Sequence, residues 1–298
     1  MSACGGICCF ADDSTFTLSS KTPEDLTRDI SEKYLEIANY MGQNKLVLNS
    51  DKTHLLVMAS AHKHRKHQDF GIVLNTGAEV IEPTSNEKLL GGVISNNFTW
   101  NNHIRDNKTS MFKILTSKIN ALSKVSRISN FKTRKMVASG LVMSTLNYLV
   151  QLYGSCSGYL VKLLQVLQNK AARYVTRLGW DTETSVLLNQ CGWFSIRQLI
   201  VFQSLILLFK IRQDKKPKYL FDKIDKKYPY KTRLAEEENA NNKIGETRIF
   251  EKETAQKSFI PRVTKDWNNL PNSLREITLL KMFKSKLRVW VKDTVPIR

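Results

Sequence analysis

The sequence predicts an α+β fold. A small antiparallel sheet plus one helix (residues 1–98) precedes a mainly helical domain (99–214), a basic and then acidic linker (215–260) and a helical C-terminal tail (261–298). Three observations carry this expectation. Ile7-Cys8-Cys9-Phe10 and Ser14-Thr15-Phe16-Thr17-Leu18 are rich in β-branched and aromatic residues on either side of Ala11-Asp12-Asp13, the pattern of strand, tight turn, strand. From Trp100 the apolar spacing changes to that of amphipathic helices, which marks a domain boundary. The longest apolar segment, Gln198 to Ile211, is interrupted by Gln203 and falls short of the roughly 20 residues a membrane helix needs, so it reads as a buried helix.

Composition narrows the partners. The 298 residues, 42% of them hydrophobic, suffice for a well-buried core. Lys and Arg total 46 against 27 Asp and Glu, a formal charge of +19 that favours a polyanion, nucleic acid ahead of an anionic membrane. Cys4, Cys8, Cys9, Cys156 and Cys191 are odd in number and unevenly spaced, which argues for a reducing compartment and against a disulfide framework. No basic region precedes a long apolar run at the N-terminus, and Ser2 excludes a glycine-linked myristoyl group. The expectation is an intracellular protein, cytoplasmic or nuclear, without a transmembrane helix.

The elements follow in order. Thr22-Pro23-Glu24-Asp25 starts a helix with a hydroxyl cap, proline at the first position and early acids, and its apolar positions continue to about Met41, where Gly42 is placed to end it. Lys45 to Leu48 and His54 to Met58 read as strands, and Gly71 to Leu74 with Glu79 to Ile81 as a hairpin around Asn75-Thr76-Gly77-Ala78. His62-Lys63-His64-Arg65-Lys66-His67 reads as a solvated basic loop, because its Lys and Arg would repel a cation. Lys88 to Ile94 reads as a buried strand in which Gly91 and Gly92 let another backbone approach. Helices are expected over Trp100–Ser126, with Ile104, Met111, Ile114, Leu115, Ile119 and Leu122 on one side, and over 133–152, 159–178, 182–189 and 196–212. Lys215 to Lys231 is basic with interleaved Tyr, suited to phosphates and bases or to a linker, and Glu236 to Asn242 reads as a flexible loop. A last helix over 274–291 should dock through Leu279, Leu280, Phe283, Leu287 and Trp290 and turn Lys281, Lys284, Lys286 and Arg288 outward.

Two groups of residues carry chemistry. Asp12 and Asp13 place adjacent carboxylates at a turn, where a divalent cation would relieve their repulsion, and Mg²⁺ prefers such oxygen ligands. The same dipeptide also fits a solvated hairpin turn. The helices after Trp100 are basic, and between His103 and Lys135 Asp106 is the sole acid. Phosphate contacts are therefore expected from Lys113, Lys118, Lys124, Arg127, Lys132, Arg134, Lys135, Lys170 and Arg173.

The order of these features resembles the reverse transcriptase (RNA-directed DNA polymerase) of jockey-type non-LTR retrotransposons, from mid-palm onward. The likeness runs from Phe10-Ala11-Asp12-Asp13 through Leu46-x-Leu48-Asn49-x-x-Lys52-Thr53, Leu90-Gly91 with Ile94, and Trp100-x-x-His103-Ile104. It ends with Trp267-Asn268-Asn269-Leu270-Pro271 and Phe283-Lys284-x-Lys286-Leu287. The resemblance implies a partial palm over 1–98, a thumb-like helical domain over 99–214, and Asp12 and Asp13 as Mg²⁺ ligands, with Asp12 the more direct. It also implies that Lys52 lies near the incoming nucleotide's phosphates and that Leu90, Gly91 and Gly92 form a primer grip. The partners it implies are an RNA template, a DNA primer or their hybrid.

The departures set the functional expectation. In that family the fingers and a further palm aspartate lie upstream of the Ala-Asp-Asp turn, and here nine residues precede Phe10. Ser95 stands where an acid is common and Gly92 where a β-branched residue is usual. The expected function is that of a truncated reverse transcriptase that binds nucleic acid but is catalytically incomplete alone. The alternatives are a host-adopted, non-catalytic binding or structural module and a non-functional gene remnant. Palm strands without their neighbours would also leave an exposed edge and make the chain prone to association, its oligomeric state being unknown.

Overall fold

The computed structural model describes residues 6–60, 71–77, 79–126, 129–225, 237, 241–245 and 253–297. It is α+β, with two compact units, Met1–Asn102 and His103–Arg298. Cys4, the His62 to His67 run, Arg127 and the stretch from Lys226 to Lys231 lie outside the described residues.

The first unit opens with the expected hairpin. Strands β1 (Ile7–Phe10) and β2 (Asp13–Phe16) pair antiparallel, with Phe10 opposite Asp13 and Ala11-Asp12 at the turn. Helix α1 (Pro23–Gln43) begins as read: Thr22 Oγ1 accepts from Asp25 N at 3.2 Å, a cap worth about 1 kcal/mol. Its end differs. Gly42 sits inside the helix, and the stop is made by Asn44, whose Nδ2 donates to Tyr40 O at 2.8 Å, followed by Lys45 at φ 58°.

The remaining strands are short two-stranded pairs rather than one sheet. Residues 45–48 form no strand, and Ser50–Lys52 makes a 3-10 turn. β3 (Leu55–Leu56) pairs in parallel with β6 (Pro83–Thr84), while β4 (Leu74–Asn75) and β5 (Val80–Ile81) form the expected hairpin. The run from Lys88 to Ile94 is not a single buried strand. It folds back as β7 (Asn86–Leu89) and β8 (Gly92–Ser95), because Leu90 and Gly91 both take positive φ, 46° and 81°, the requirement of a tight two-residue hairpin turn. Tyr34, Leu55, Ile72 and Leu74 form this unit's core, with Phe16, Leu26, Ile30 and Ile81 packed against it.

In the second unit the first long helix is interrupted. A π-helical turn over Asn102–Asp106 gives way at Asn107, whose Oδ1 accepts from Thr109 N at 3.2 Å, before α2 (Met111–Ser126) begins. Met111, Leu115, Ile119 and Leu122 are buried as expected, whereas Ile114 is exposed. The expected 133–152 helix is likewise divided, into α3 (Phe131–Ala138), a π-helical turn (Ser139–Met143), α4 (Ser144–Asn147) and, after Leu149 at φ 57°, α5 (Val150–Tyr153). α6 (Gly158–Thr176), α7 (Thr184–Cys191) and α8 (Ile196–Asp214) match their expected ranges within a few residues. Then come α9 (Lys218–Ile224), α10 (Glu253–Gln256), α11 (Phe259–Asn268), α12 (Asn272–Arg275) and α13 (Leu280–Thr294).

Helix α8 is the axis of this unit. Ile196, Leu199, Ile200, Phe202, Leu205, Ile206, Leu208, Phe209 and Ile211 are all buried, against α5, α6, α11 and α13. Such all-round apolarity marks a core helix. No single helix among the described residues is long and apolar enough to cross a membrane. The last helix docks through Phe283, Leu287 and Val291, with Phe283 stacked 4.3 Å from the Phe209 ring, while Leu279 is exposed and Trp290 half-buried. The inward stripe is thus the i, i+4, i+8 row; Lys281, Lys284 and Lys286 are exposed as expected, whereas Arg288, though also exposed, lays its guanidinium over the Phe194 and Phe202 rings at 5.2 and 5.6 Å.

The Trp267-Asn268-Asn269-Leu270-Pro271 segment is a polar knot. Trp267 Nε1 donates to Asn242 O at 3.0 Å, and Asn268 exchanges two bonds of 2.9 Å with the backbone of Ile244. Arg212 stacks over the Trp267 ring and bonds Asp225 at 3.0 Å and Asn242 Oδ1 at 2.9 Å. Buried Arg275 donates to the carbonyls of Asn241, Asn268 and Leu270.

One ionisable group on α11 is held at a cost. Burial pushes the Asp266 carboxyl up from 3.8 to about 6, against the pull of Arg262 and Lys265. A carboxyl raised on folding supports the native state fully below its unfolded value, and that contribution is lost as pH rises through the folded one. The urea midpoint of wild type relative to Asp266→Asn should therefore decline between about pH 4 and pH 6; parallel pH profiles for the two proteins would refute this.

Candidate nucleic-acid interface and carboxylate hairpin

The hairpin presents both aspartates to solvent. Asp12 occupies the turn and Asp13 the first position of β2, and β1 is exposed along its length, with Phe10 at 64%. Ala11 holds φ 54°, a left-handed conformation that costs a non-glycine residue of order 1 kcal/mol. Two adjacent carboxylates are the hard oxygen donors that Mg²⁺ takes, usually one or two together with waters and substrate phosphates. The pair fits that role in kind. Among the described residues no group of three His, Cys, Asp or Glu side chains forms, so the two carboxylates would hold an ion only jointly with such outside ligands.

Lys52 is exposed at the end of the 3-10 turn, where its N–H donates to Asn49 O at 3.2 Å. Among the described residues no ion pair joins it to Asp12 or Asp13. Leu90 and Gly91 form the exposed tip of the β7–β8 hairpin, and Gly92 is buried opposite Leu89.

The cations from which phosphate contacts are expected divide, where described, into two sets. Lys113, Lys124, Lys132 and Lys170 are exposed, and no carboxylate among the described residues pairs with them. Lys113 and Lys124 lie about three turns apart on one face of α2. The others are spent within the fold. Arg134 is buried, with Nε on Val175 O at 2.8 Å and Nη1 on Ser129 O at 2.5 Å, so it caps the C-terminal end of α6. Lys118 Nζ donates to Thr145 Oγ1 at 2.6 Å. Lys135 is half-buried beside the end of α7, its Nζ 3.5 Å from where a Cβ on Gly192 would sit. Arg173 reaches the carbonyls of Gly179 and Trp180. Arg127 lies outside the described residues.

What the charge pattern did not single out is aromatic. Tyr159 carries Arg105 over its ring at 5.5 Å, and Trp180 is exposed just after α6. An aromatic between glycine and aspartate directly after a basic helix was the available signal. The electrostatics are one-sided: from Asn107 to Trp180 the chain holds Lys108, Lys113, Lys118, Lys124, Arg127, Lys132, Arg134, Lys135, Lys162, Lys170, Arg173 and Arg177, and no Asp or Glu. A run of this sign is the pattern that polyanion binding requires, and attraction of that kind weakens in salt.

No protein-family model matches the chain, and neither a characterised protein nor a solved structure is significantly similar to it.

The division between inward and outward cations has a measurable consequence. Arg134→Gln should lower the urea-derived stability by about 2–3 kcal/mol, because one buried and one part-buried carbonyl lose charged donors. Lys132→Gln should change it by less than about 0.5 kcal/mol, the usual range for an exposed site. Equal effects would refute the division.

Proposed function

We propose that this chain is a nucleic-acid-binding part of a reverse transcriptase of the non-LTR retrotransposon type, and that alone it does not extend a primer. The observation that carries the binding is the acid-free, basic stretch from Asn107 to Trp180, whose exposed lysines lie on α2, α3 and α6. The resemblance of the Ala11-Asp12-Asp13 turn, Lys52 and the Leu90-Gly91 hairpin to polymerase palm motifs supports the family. The phosphates of a template-primer duplex would meet Lys113, Lys124, Lys132 and Lys170, and those contacts would fix its position without reading sequence.

Asp12 and Asp13 would be the carboxylates facing a bound nucleotide's Mg²⁺. When bound, that ion polarises a phosphoryl oxygen. The residues themselves supply negative charge on an exposed hairpin, and positioning, which provides most of phosphoryl-transfer catalysis, is what such a hairpin lacks. A non-catalytic binding module is the second reading, favoured by the same exposure of β1.

Affinity for a duplex should fall steeply with salt. Replacing Lys113, Lys124, Lys132 and Lys170 by Ala should weaken binding and flatten the slope of log K against log salt by about 3.6. Binding that ignores salt, or a slope unchanged by the substitutions, would overturn the interface. In a primer-extension assay with Mg²⁺ and all four nucleotides, no extension above a protein-free control is expected. Extension that Asp12→Ala abolishes would overturn the inactive reading.

A further inference from the structure

The outer face of α6 ends on an exposed aromatic platform. At 100° per residue, Tyr159, Lys162, Val166, Lys170, Arg173 and Arg177 fall within about 80° of arc. All are exposed except Arg173, which is half-buried. From Lys162 to the left-handed cap at Arg177 the stripe is about 20 Å long.

Trp180 stands just beyond it, 86% exposed. Its backbone is held in place. Arg173 Nη2 donates to Trp180 O at 2.9 Å and Nε to Gly179 O at 3.4 Å, while Thr182 N closes the turn on Gly179 O at 3.3 Å. Asn169 Nδ2, from α6, donates to Thr184 Oγ1 at 2.8 Å and fixes the start of α7. The adjacent Asp181 carboxylate folds back against Gly179, since a Cβ there would lie 2.5 Å from Asp181 Oδ1. The indole is therefore a wide apolar plane on a braced turn at the end of a cationic stripe. Single-strand binding needs that combination: cations along the phosphates and an aromatic face for a base.

We propose that Trp180 is a stacking platform for an unpaired base, and that the single strand carrying that base runs its phosphates along Lys162, Lys170 and Arg177. This rests on the nucleic-acid reading above and adds to it a preference for single-stranded segments. Within a duplex the bases are already stacked on one another, so away from its two ends the indole has no face to take. Arg173 is a positioning residue, since it acts through the turn that carries Trp180.

The test compares a fluorescein-labelled oligothymidylate with a blunt duplex of equal length, in moderate salt, on wild type, Trp180→Ala and Trp180→Phe. Trp180 is exposed, so neither substitution threatens the core. Trp180→Ala should weaken single-strand binding about tenfold and leave duplex affinity unchanged within about twofold, and Trp180→Phe should keep most of the single-strand affinity. No loss in Trp180→Ala, the result expected if the indole instead meets another protein, would overturn the platform and leave the duplex interface standing. Equal loss on both substrates, or a phenylalanine variant as weak as alanine, would also overturn it. Wild-type protein that binds neither substrate would overturn both readings.

Discussion

The helical unit depends on how the N-terminal donors of α8 are satisfied away from water. A helix start leaves four N–H groups without intrahelical partners, and burying one unpaired costs about 1–3 kcal/mol. Ser195, Ile196 and Gln198 are all buried here. Ser195 Oγ accepts from Gln198 N at 3.3 Å, and Gln198 Oε1 accepts from Ser195 N at 3.0 Å, which makes a capping box. Gln165 Oε1, from α6, accepts from Ile196 N at 2.9 Å, and buried Gln168 Nε2 donates to Phe194 O at 2.8 Å. Gln198 Nε2 then reaches Val295 O at the end of α13. One buried helix start thus fixes α6, α8 and α13 together, and α6 carries the stripe that ends at Trp180.

That arrangement explains how so basic a region folds. Polar groups around this helix start are paired through neutral amides and hydroxyls, Gln165, Gln168, Asn169, Thr184, Ser195 and Gln198. The fold consequently needs few ion pairs between Asn107 and Trp180, and most lysines are left to the surface. Surplus positive charge destabilises a compact state by self-repulsion. A polyanion bound across α2, α3 and α6 would relieve that repulsion, which links the stability of this unit to its proposed partner.

The carboxylate hairpin stands in a different physical situation. β1 is exposed on all four residues, and the hairpin's order comes from its own pairing and from Phe16 on the first unit's core. A two-stranded ribbon is marginal by itself. Carboxylates on such a ribbon hold charge in the right place only as firmly as the ribbon is held.

Much of the architecture was legible in the residues. Thr22-Pro23 set the start of α1, the apolar row of α2 set its inward face except at Ile114, the composition of Gln198 to Ile211 marked a core helix, and Ala11-Asp12-Asp13 marked a turn, of which Asp13 proves to begin β2. These are local effects of capping, side-chain period and turn chemistry, and neighbours in sequence decide them. Three features could not be read from them. Leu90 and Gly91 take left-handed backbone and turn an expected strand into a hairpin, which strand-like apolar composition concealed. Leu149 breaks an otherwise continuous helical pattern, and no glycine or proline announces it. Sequence alone supplied the positive charge of the helices, but the fold decided its use: Arg134 turns inward to the Val175 carbonyl, while Lys132, two residues away, faces water. A cation's identity sets its charge, and only the carbonyls and hydroxyls that tertiary packing brings beside it determine whether that charge is spent inside the fold or offered to a partner.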